Sequence, residues 1–255
     1  MTATEFDLDW AKFRRNGFLE LGPRLCESDR LAVLEHFDKL DAADRIPPGY
    51  QAQYDEEEGE ARRLRKLRRL LWNDKKLYAP ILQRMGAVDL AEKLIGPSAV
   101  AILHAAFLKP ARIGTHVAPH QDQALWERHL PGVFNMWVAL TDVSPANGGL
   151  HGFPGSHVHG VIEHREDPEH PWHETLSYKV PELGKRHDFV LKPGDAAMWE
   201  ATFVHGSEPN TSDEDRRGMV VVFADSAAAN FQERDVMTLE QIRSFAGAGA
   251  KSDSA

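Results

Sequence analysis

What most constrains this chain of 255 residues is a change of texture at residue 99. Before it, apolar residues recur at helical spacing. After it, short β-branched or aromatic runs alternate with Pro, Gly, Asn and Asp. Phe6, Trp10 and Phe13 fall on one helix face, and Asn16-Gly17 supplies a stop before a short alternating run at 18–21. Ser28 can cap a second helix whose apolar face is Leu31, Leu34, Phe37 and Leu40, closed by Pro47-Pro48-Gly49. A further helical pattern spans 78–94 and ends at Ile95-Gly96-Pro97. Between these lies an acidic run at 55–60 and then six basic residues within 62–69. Leu64, Leu67, Leu70 and Leu71 interleave with that basic run and predict an amphipathic helix. Its charged side reads as a solvated face in preference to an anion-binding or partner surface.

Beyond residue 99 the candidate strands are 100–109, 115–120, 133–143, 187–191, 196–199 and 218–225. Turn signals separate them at Pro131-Gly132, Asn147-Gly148-Gly149, Pro154-Gly155 and Lys192-Pro193-Gly194-Asp195. Many short strands with frequent turns predict a sandwich or barrel, with the earlier helices packed outside it. The expected organisation is one domain over 1–245, with a helical part at 1–98 and a β core at about 99–225. Thr238 and Gln241 suggest a capping box opening a last helix, and 246–255 reads as a disordered tail.

Composition narrows the function. Lys and Arg number 30 against 39 Asp and Glu, a net charge of −9, which disfavours general nucleic-acid binding. Cys26 is the only cysteine, so neither an intrachain disulfide nor a thiolate metal cluster can form. The apolar runs are too short to span a bilayer and the first ten residues do not read as a secretion signal, so a soluble, cytoplasmic protein is expected. Most of the 13 His lie between His104 and His205, and most of those read as ordinary surface or core histidines.

Three residues stand apart. In an extended strand His120 and Asp122, at i and i+2, project to one face and offer an imidazole beside a carboxylate. His205, after another strand, is the best third ligand. Two His and one carboxylate on one side of a metal form the site type of non-heme Fe(II) oxygenases. His-x-Asp alone is a weak signal, and a helical pair of His116 with His120 is opposed by Pro119. Arg216 would open the strand after His205 and could grip a carboxylate with two parallel hydrogen bonds, although taken alone it reads as a surface arginine beside Arg217.

The runs HQDQALW at 120–126, MWVALTDVSPANGGLHGFPGSH at 136–157 and HGSEPNTSDEDRR at 205–217, in that order, resemble the phytanoyl-CoA dioxygenase family of Fe(II)/2-oxoglutarate oxygenases. The resemblance implies a mainly β, cupin-like jelly roll (a double-stranded β-helix) with flanking α-helices. It implies Fe(II), 2-oxoglutarate and O2 as cofactor and cosubstrates. His120, Asp122 and His205 then match the iron ligands, and Arg216 the arginine on the distal carboxylate of 2-oxoglutarate. Ser207 matches a hydroxyl on that same carboxylate, and Trp137 an aromatic bordering the cosubstrate, with a core aromatic as an equally good reading. Halogenating relatives carry a small residue in place of the acid, so Asp122 implies hydroxylation or another oxidation of a small-molecule substrate. His157 reads as a turn-stabilising residue. The long stretch 158–186 reads as a lid, with Trp126, Arg128, His129, His151, Phe153, Trp172 and His173 at or near the mouth. The rival readings are a zinc or manganese cupin hydrolase or isomerase and a catalytically silent binding module. Neither the substrate nor the oligomeric state is legible.

Overall fold

A computed structural model describes residues 8–43, 45–55, 63–126, 130, 132–167, 174–177, 183–228, 232 and 235–249. The N-terminal part runs α1 (Trp10–Asn16), β1 (Phe18–Pro23), α2 (Glu27–Asp41), β2 (Gln51–Asp55), β3 (Arg63–Arg68), α3 (Leu70–Asn73), α4 (Lys75–Arg84) and α5 (Ala87–Ile95). There follow β4 (Ala99–Lys109), β5 (Val117–His120), β6 (Phe134–Ala139), β7 (Leu150–Gly152), β8 (His164–Glu166), β9 (Glu174–Leu176) and β10 (His187–Asp188). The chain continues through β11 (Asp195–Glu200), β12 (His205–Ser207), β13 (Arg216–Asp225), β14 (Met237–Thr238) and α6 (Leu239–Gly249).

The large sheet has the order β1-β11-β6-β13-β4-β3-β2, with β14 also on β4, and the small sheet has the order β10-β7-β12-β5. All these pairings are antiparallel, and β8 and β9 form a separate hairpin. This is the expected jelly roll. The alternation of side chains along each strand divides the large sheet into two faces. Met136, Val138, Met198, Met219, Val221 and Phe223 face the helices and bury against Phe37, Tyr78, Leu82 and Leu90. Trp137, Ala139, Trp199, Val220 and Val222 face inward and pack with Phe189, Leu191 and Phe203. The β sandwich therefore has a helix-backed wall and an inner wall, and the inner wall carries the site.

Several boundaries differ from expectation. The basic stretch is not a helix: 63–68 is a strand, and only 70–73 is helical. The register jumps from Gln53↔Lys66 to Tyr54↔Leu64, so Arg65 is an extra residue in β3. That bulge turns Leu64 and Leu67, three apart, into the same helix-side core, and so mimics a helical period. The pattern at 78–94 is two helices, broken at Gly86, where φ is 74°. α6 reaches Gly249, four residues into the stretch expected to be a tail, and 250–255 lie outside the described residues. The Thr238–Gln241 box forms, with reciprocal hydrogen bonds of 2.9 and 3.1 Å. Among the described residues, no helix is long and apolar enough to cross a membrane.

Candidate metal centre and its cavity

β5 and β12 are neighbours, and their register sets His120 directly opposite His205. After His120 the backbone at Gln121 stays extended, at φ −113° and ψ 131°, before Asp122 opens a short 3-10 turn. His120 and Asp122 therefore share a face, as the His-x-Asp spacing predicts. The Gln121 side chain is buried and bonded to the carbonyls of Gly160 and Thr202 and to the Ile162 amide, which fixes the intervening residue.

One ligand atom from each of His120, Asp122 and His205 lies within 4.8 Å of the others. His120 Nε2 is 3.8 Å from Asp122 Oδ1, and His205 Nε2 is 3.7 Å from Asp122 Oδ2. Each imidazole sits with Nδ1 against a backbone carbonyl, Ala118 at 2.9 Å and Phe203 at 3.0 Å. A proton on each Nδ1 satisfies those carbonyls and leaves both Nε2 lone pairs aimed at the carboxylate. Burial pushes the His205 imidazole down to about 4, against the pull of Asp122, so it is neutral at physiological pH. Burial alone would raise the Asp122 carboxyl. His205, His120 and the Trp199 indole outweigh it and hold the group well below the usual carboxylate range. Asn135 Nδ2 and Trp199 Nε1 both donate to Asp122 Oδ2, at 2.8 and 3.1 Å. Two imidazole nitrogens and an ionised carboxylate are a donor set suited to Fe(II).

The cluster lies in a cavity of about 400 Å³ between the sheets, and Arg216, Ser207 and Trp137 line the same cavity. Arg216 is 2% exposed. Its Nη2 donates to the Gly148 carbonyl at 3.1 Å, while Nε and Nη1 have no hydrogen-bond partner. Burial pushes its guanidinium down to about 10. A buried cation with two unmet donors is an unstable arrangement unless an anion completes it. A carboxylate placed there would satisfy both. The Trp137 ring lies beneath the guanidinium, 5.8 Å from centroid to Cζ. Two glycines make this packing possible. A Cβ on Gly148, where φ is 72°, would meet the Glu208 carbonyl at 2.7 Å and Lys109 Cδ at 2.8 Å. A Cβ on Gly218 would sit 2.0 Å from Trp137 Cζ2.

The remaining expectations divide. His116 is not part of the cluster. His157 bonds the Arg14 carbonyl at 3.0 Å, a structural contact as expected. Trp126 lines the cavity. His151 and Phe153 do not: Phe153 belongs to a small core with Ile162, Leu176 and Val204. Arg128, His129, Trp172 and His173 lie outside the described residues. Within 158–186, β8 and β9 form a hairpin tied to β5 by Thr175 Oγ1 donating to the Pro119 carbonyl at 3.2 Å. Asn135 and Trp199 were not anticipated. Asn135 alone had a signal, as the one polar residue of the otherwise apolar segment FNMWVA.

The phytanoyl-CoA dioxygenase (PhyH) family model matches residues 13–218. A phytanoyl-CoA dioxygenase domain-containing protein 1 of Danio rerio is 24% identical over 256 residues, covering 82% of this chain and 87% of the relative. L-proline trans-4-hydroxylase of Streptomyces griseoviridis is 27% identical over 166 residues, covering 57% of this chain and 62% of the relative. The solved structure of EvdO2 from Micromonospora carbonacea var. aurantiaca, complexed with 2-oxoglutarate, superposes with a TM-score of 0.70 at 24% identity, covering 89% of this chain and 94% of that one. EctD from S. alaskensis with bound Fe gives a TM-score of 0.67 at 21% identity, covering 86% and 76% respectively. With jelly roll, metal-ligand cluster and family model in agreement, this chain belongs to the phytanoyl-CoA dioxygenase family.

Proposed function

We propose that the protein is an Fe(II)- and 2-oxoglutarate-dependent dioxygenase that hydroxylates a small-molecule substrate, with release of succinate and CO2. The observation that carries this reading is the pairing, in one cavity, of the His120–Asp122–His205 cluster with a buried arginine that lacks partners for two of its nitrogens. His120, Asp122 and His205 hold the iron. Arg216 grips the distal carboxylate of 2-oxoglutarate, the Ser207 hydroxyl shares it, and Trp137 borders the cosubstrate. The bound iron and 2-oxoglutarate supply the oxidising power.

The chain's own contribution is placement and dryness. The carbonyls of Ala118 and Phe203 hold each imidazole in the tautomer that exposes Nε2. Asn135 and Trp199 donate to Asp122 Oδ2 and fix the rotation of the carboxylate. Leu103, Leu150, Val220 and Val222 give the cavity apolar walls that limit water at the reacting centre. The relatives of this chain include an L-proline trans-4-hydroxylase and an ectoine dioxygenase, which supports hydroxylation of a small metabolite here. The test is a succinate-release screen over a metabolite library, followed by mass spectrometry of any hit. A substrate that gains one oxygen atom in step with succinate is expected. Substrate-stimulated turnover that persists without 2-oxoglutarate would contradict the reading.

A further inference from the structure

The basic stretch between the N-terminal helices has an unexpected position. Because it is a strand, Lys66 and Arg68 stand two apart, on the face opposite the fully buried Leu67. β3 pairs with β4 at Lys66↔Phe107 and Arg68↔Ala105, which extends the inner wall of the large sheet outward from the metal cluster. Both side chains line the same cavity as His120, Asp122 and Arg216. The Lys66 ammonium lies 4.6 Å over the ring of Phe107. Among the described residues, no carboxylate lies in ion-pair range of Lys66 or Arg68; the neighbouring strand and helix pairs go to Arg63 and Arg69.

Charge makes the point sharper. In a chain of net charge −9, the described residues that line this cavity include five cationic side chains (Arg65, Lys66, Arg68, Lys109 and Arg216) and one carboxylate, that of Asp122. A ferrous ion and the 2-oxoglutarate dianion cancel each other, so loading the site leaves that excess intact. Arg216 would then be satisfied, and Lys109 already donates to the carbonyls of Ser207 and Glu208. Among the described residues, that leaves Lys66 and Arg68 of β3 without a carboxylate in ion-pair range. Burial, with Arg68 and Arg65 alongside and Asp122 opposing, pushes Lys66 down to about 8. A solvated surface lysine would not be held so. We propose that Lys66 and Arg68 form an anion subsite that holds a carboxylate or phosphate group of the substrate, so that the substrate is an oxyanion-bearing small molecule. The inference rests on the oxygenase reading above, and it assigns to β3 the end of the substrate away from the reacting carbon.

The test uses the full chain, loaded anaerobically with Fe(II) and saturating 2-oxoglutarate so that Arg216 is occupied. Inorganic phosphate, butyrate, butyramide and butylamine are titrated separately while the melting temperature and the visible Fe(II)–2-oxoglutarate band are read. Phosphate or butyrate, or both, should raise the melting temperature, and the stronger of the two identifies the oxyanion. The neutral amide and the amine should not. Lys66→Gln and Arg68→Gln should each weaken the effective anion about tenfold, the scale of one charge-assisted hydrogen bond. Arg68 is exposed, so Arg68→Gln is expected to fold, and the band formed with 2-oxoglutarate reports that it has. No anion effect in the wild-type protein would overturn the subsite, as would an amide effect equal to that of butyrate or an anion effect unchanged in both variants. If the band itself fails to form in the wild type, the oxygenase reading falls and takes the subsite with it. If the band forms but the anions do nothing, only the subsite falls.

Discussion

Arg216→Met should separate two quantities that usually move together. The wild-type guanidinium is buried, donates once to Gly148 and leaves Nε and Nη1 unmet. Without 2-oxoglutarate, replacing it by an apolar chain of similar length removes a desolvated cation and loses one hydrogen bond and the contact with Trp137. Removing an uncompensated buried charge offsets those losses, so the metal-loaded variant should melt no lower than the wild type. With 2-oxoglutarate the sign reverses. Two charge-assisted hydrogen bonds at about 1.5 kcal/mol each make the loss about 3 kcal/mol, on the order of 100-fold in affinity. At a concentration near 100 times the wild-type Kd, ligand stabilises the wild type by about 2.7 kcal/mol and the variant by only ~0.4 kcal/mol. For a domain of this size that is a rise of roughly 5–10 °C against about 1 °C. Differential scanning fluorimetry with Fe(II), with and without 2-oxoglutarate, reads both. A variant that keeps the full ligand-dependent rise would refute the role given to Arg216. One that melts several degrees low before any ligand is added would make the guanidinium a structural group.

Three further outcomes follow from other parts of the molecule. Asp122→Ala should abolish substrate-dependent succinate release while far-UV circular dichroism is unchanged, because Asn135 and Trp199 lose only an acceptor; wild-type turnover would mean that the metal ligands are misassigned. His104 is fully buried with neither nitrogen bonded, and burial pushes it down to about 3, so it stays neutral in the fold while the unfolded chain takes up a proton near pH 6.5. The unfolded state thus binds more protons, stability falls as pH drops from 6.5 towards 3, and His104→Phe should recover about 2 kcal/mol of the loss between pH 7 and pH 5 in urea titrations; an unchanged pH slope would contradict this. Gly218→Ala places a methyl group 2.0 Å from Trp137, so it should destabilise by about 1–3 kcal/mol and weaken 2-oxoglutarate binding through the displaced ring, both measurable in the same melting assay.

What the sequence made legible followed from short-range geometry. The extended run through Gln121 puts His120 and Asp122 on one face whatever the rest of the chain does, and the structure keeps that arrangement. Bringing His205 opposite them needed the β5–β12 pairing, which spacing alone does not encode and which the order of the three motifs made expected. Where the reading failed, a local irregularity had altered the period. The extra residue at Arg65 gives a strand the i, i+3 signature of a helix, so the basic side chains read as solvent-facing, whereas three of them, Arg65, Lys66 and Arg68, line the cavity. One left-handed residue, Gly86, split a continuous helical pattern in two. Asn135 and Trp199, which fix the carboxylate, lie on separate strands and meet Asp122 only through the sheet register.

The most direct test of the account is an anaerobic titration of the metal-free protein with Fe(II) in the presence of 2-oxoglutarate, followed by visible absorption. One equivalent of iron should develop a weak charge-transfer band that depends on 2-oxoglutarate and is missing in Asp122→Ala and His205→Ala. No band in the wild type, together with no 2-oxoglutarate-dependent rise in melting temperature, would contradict it.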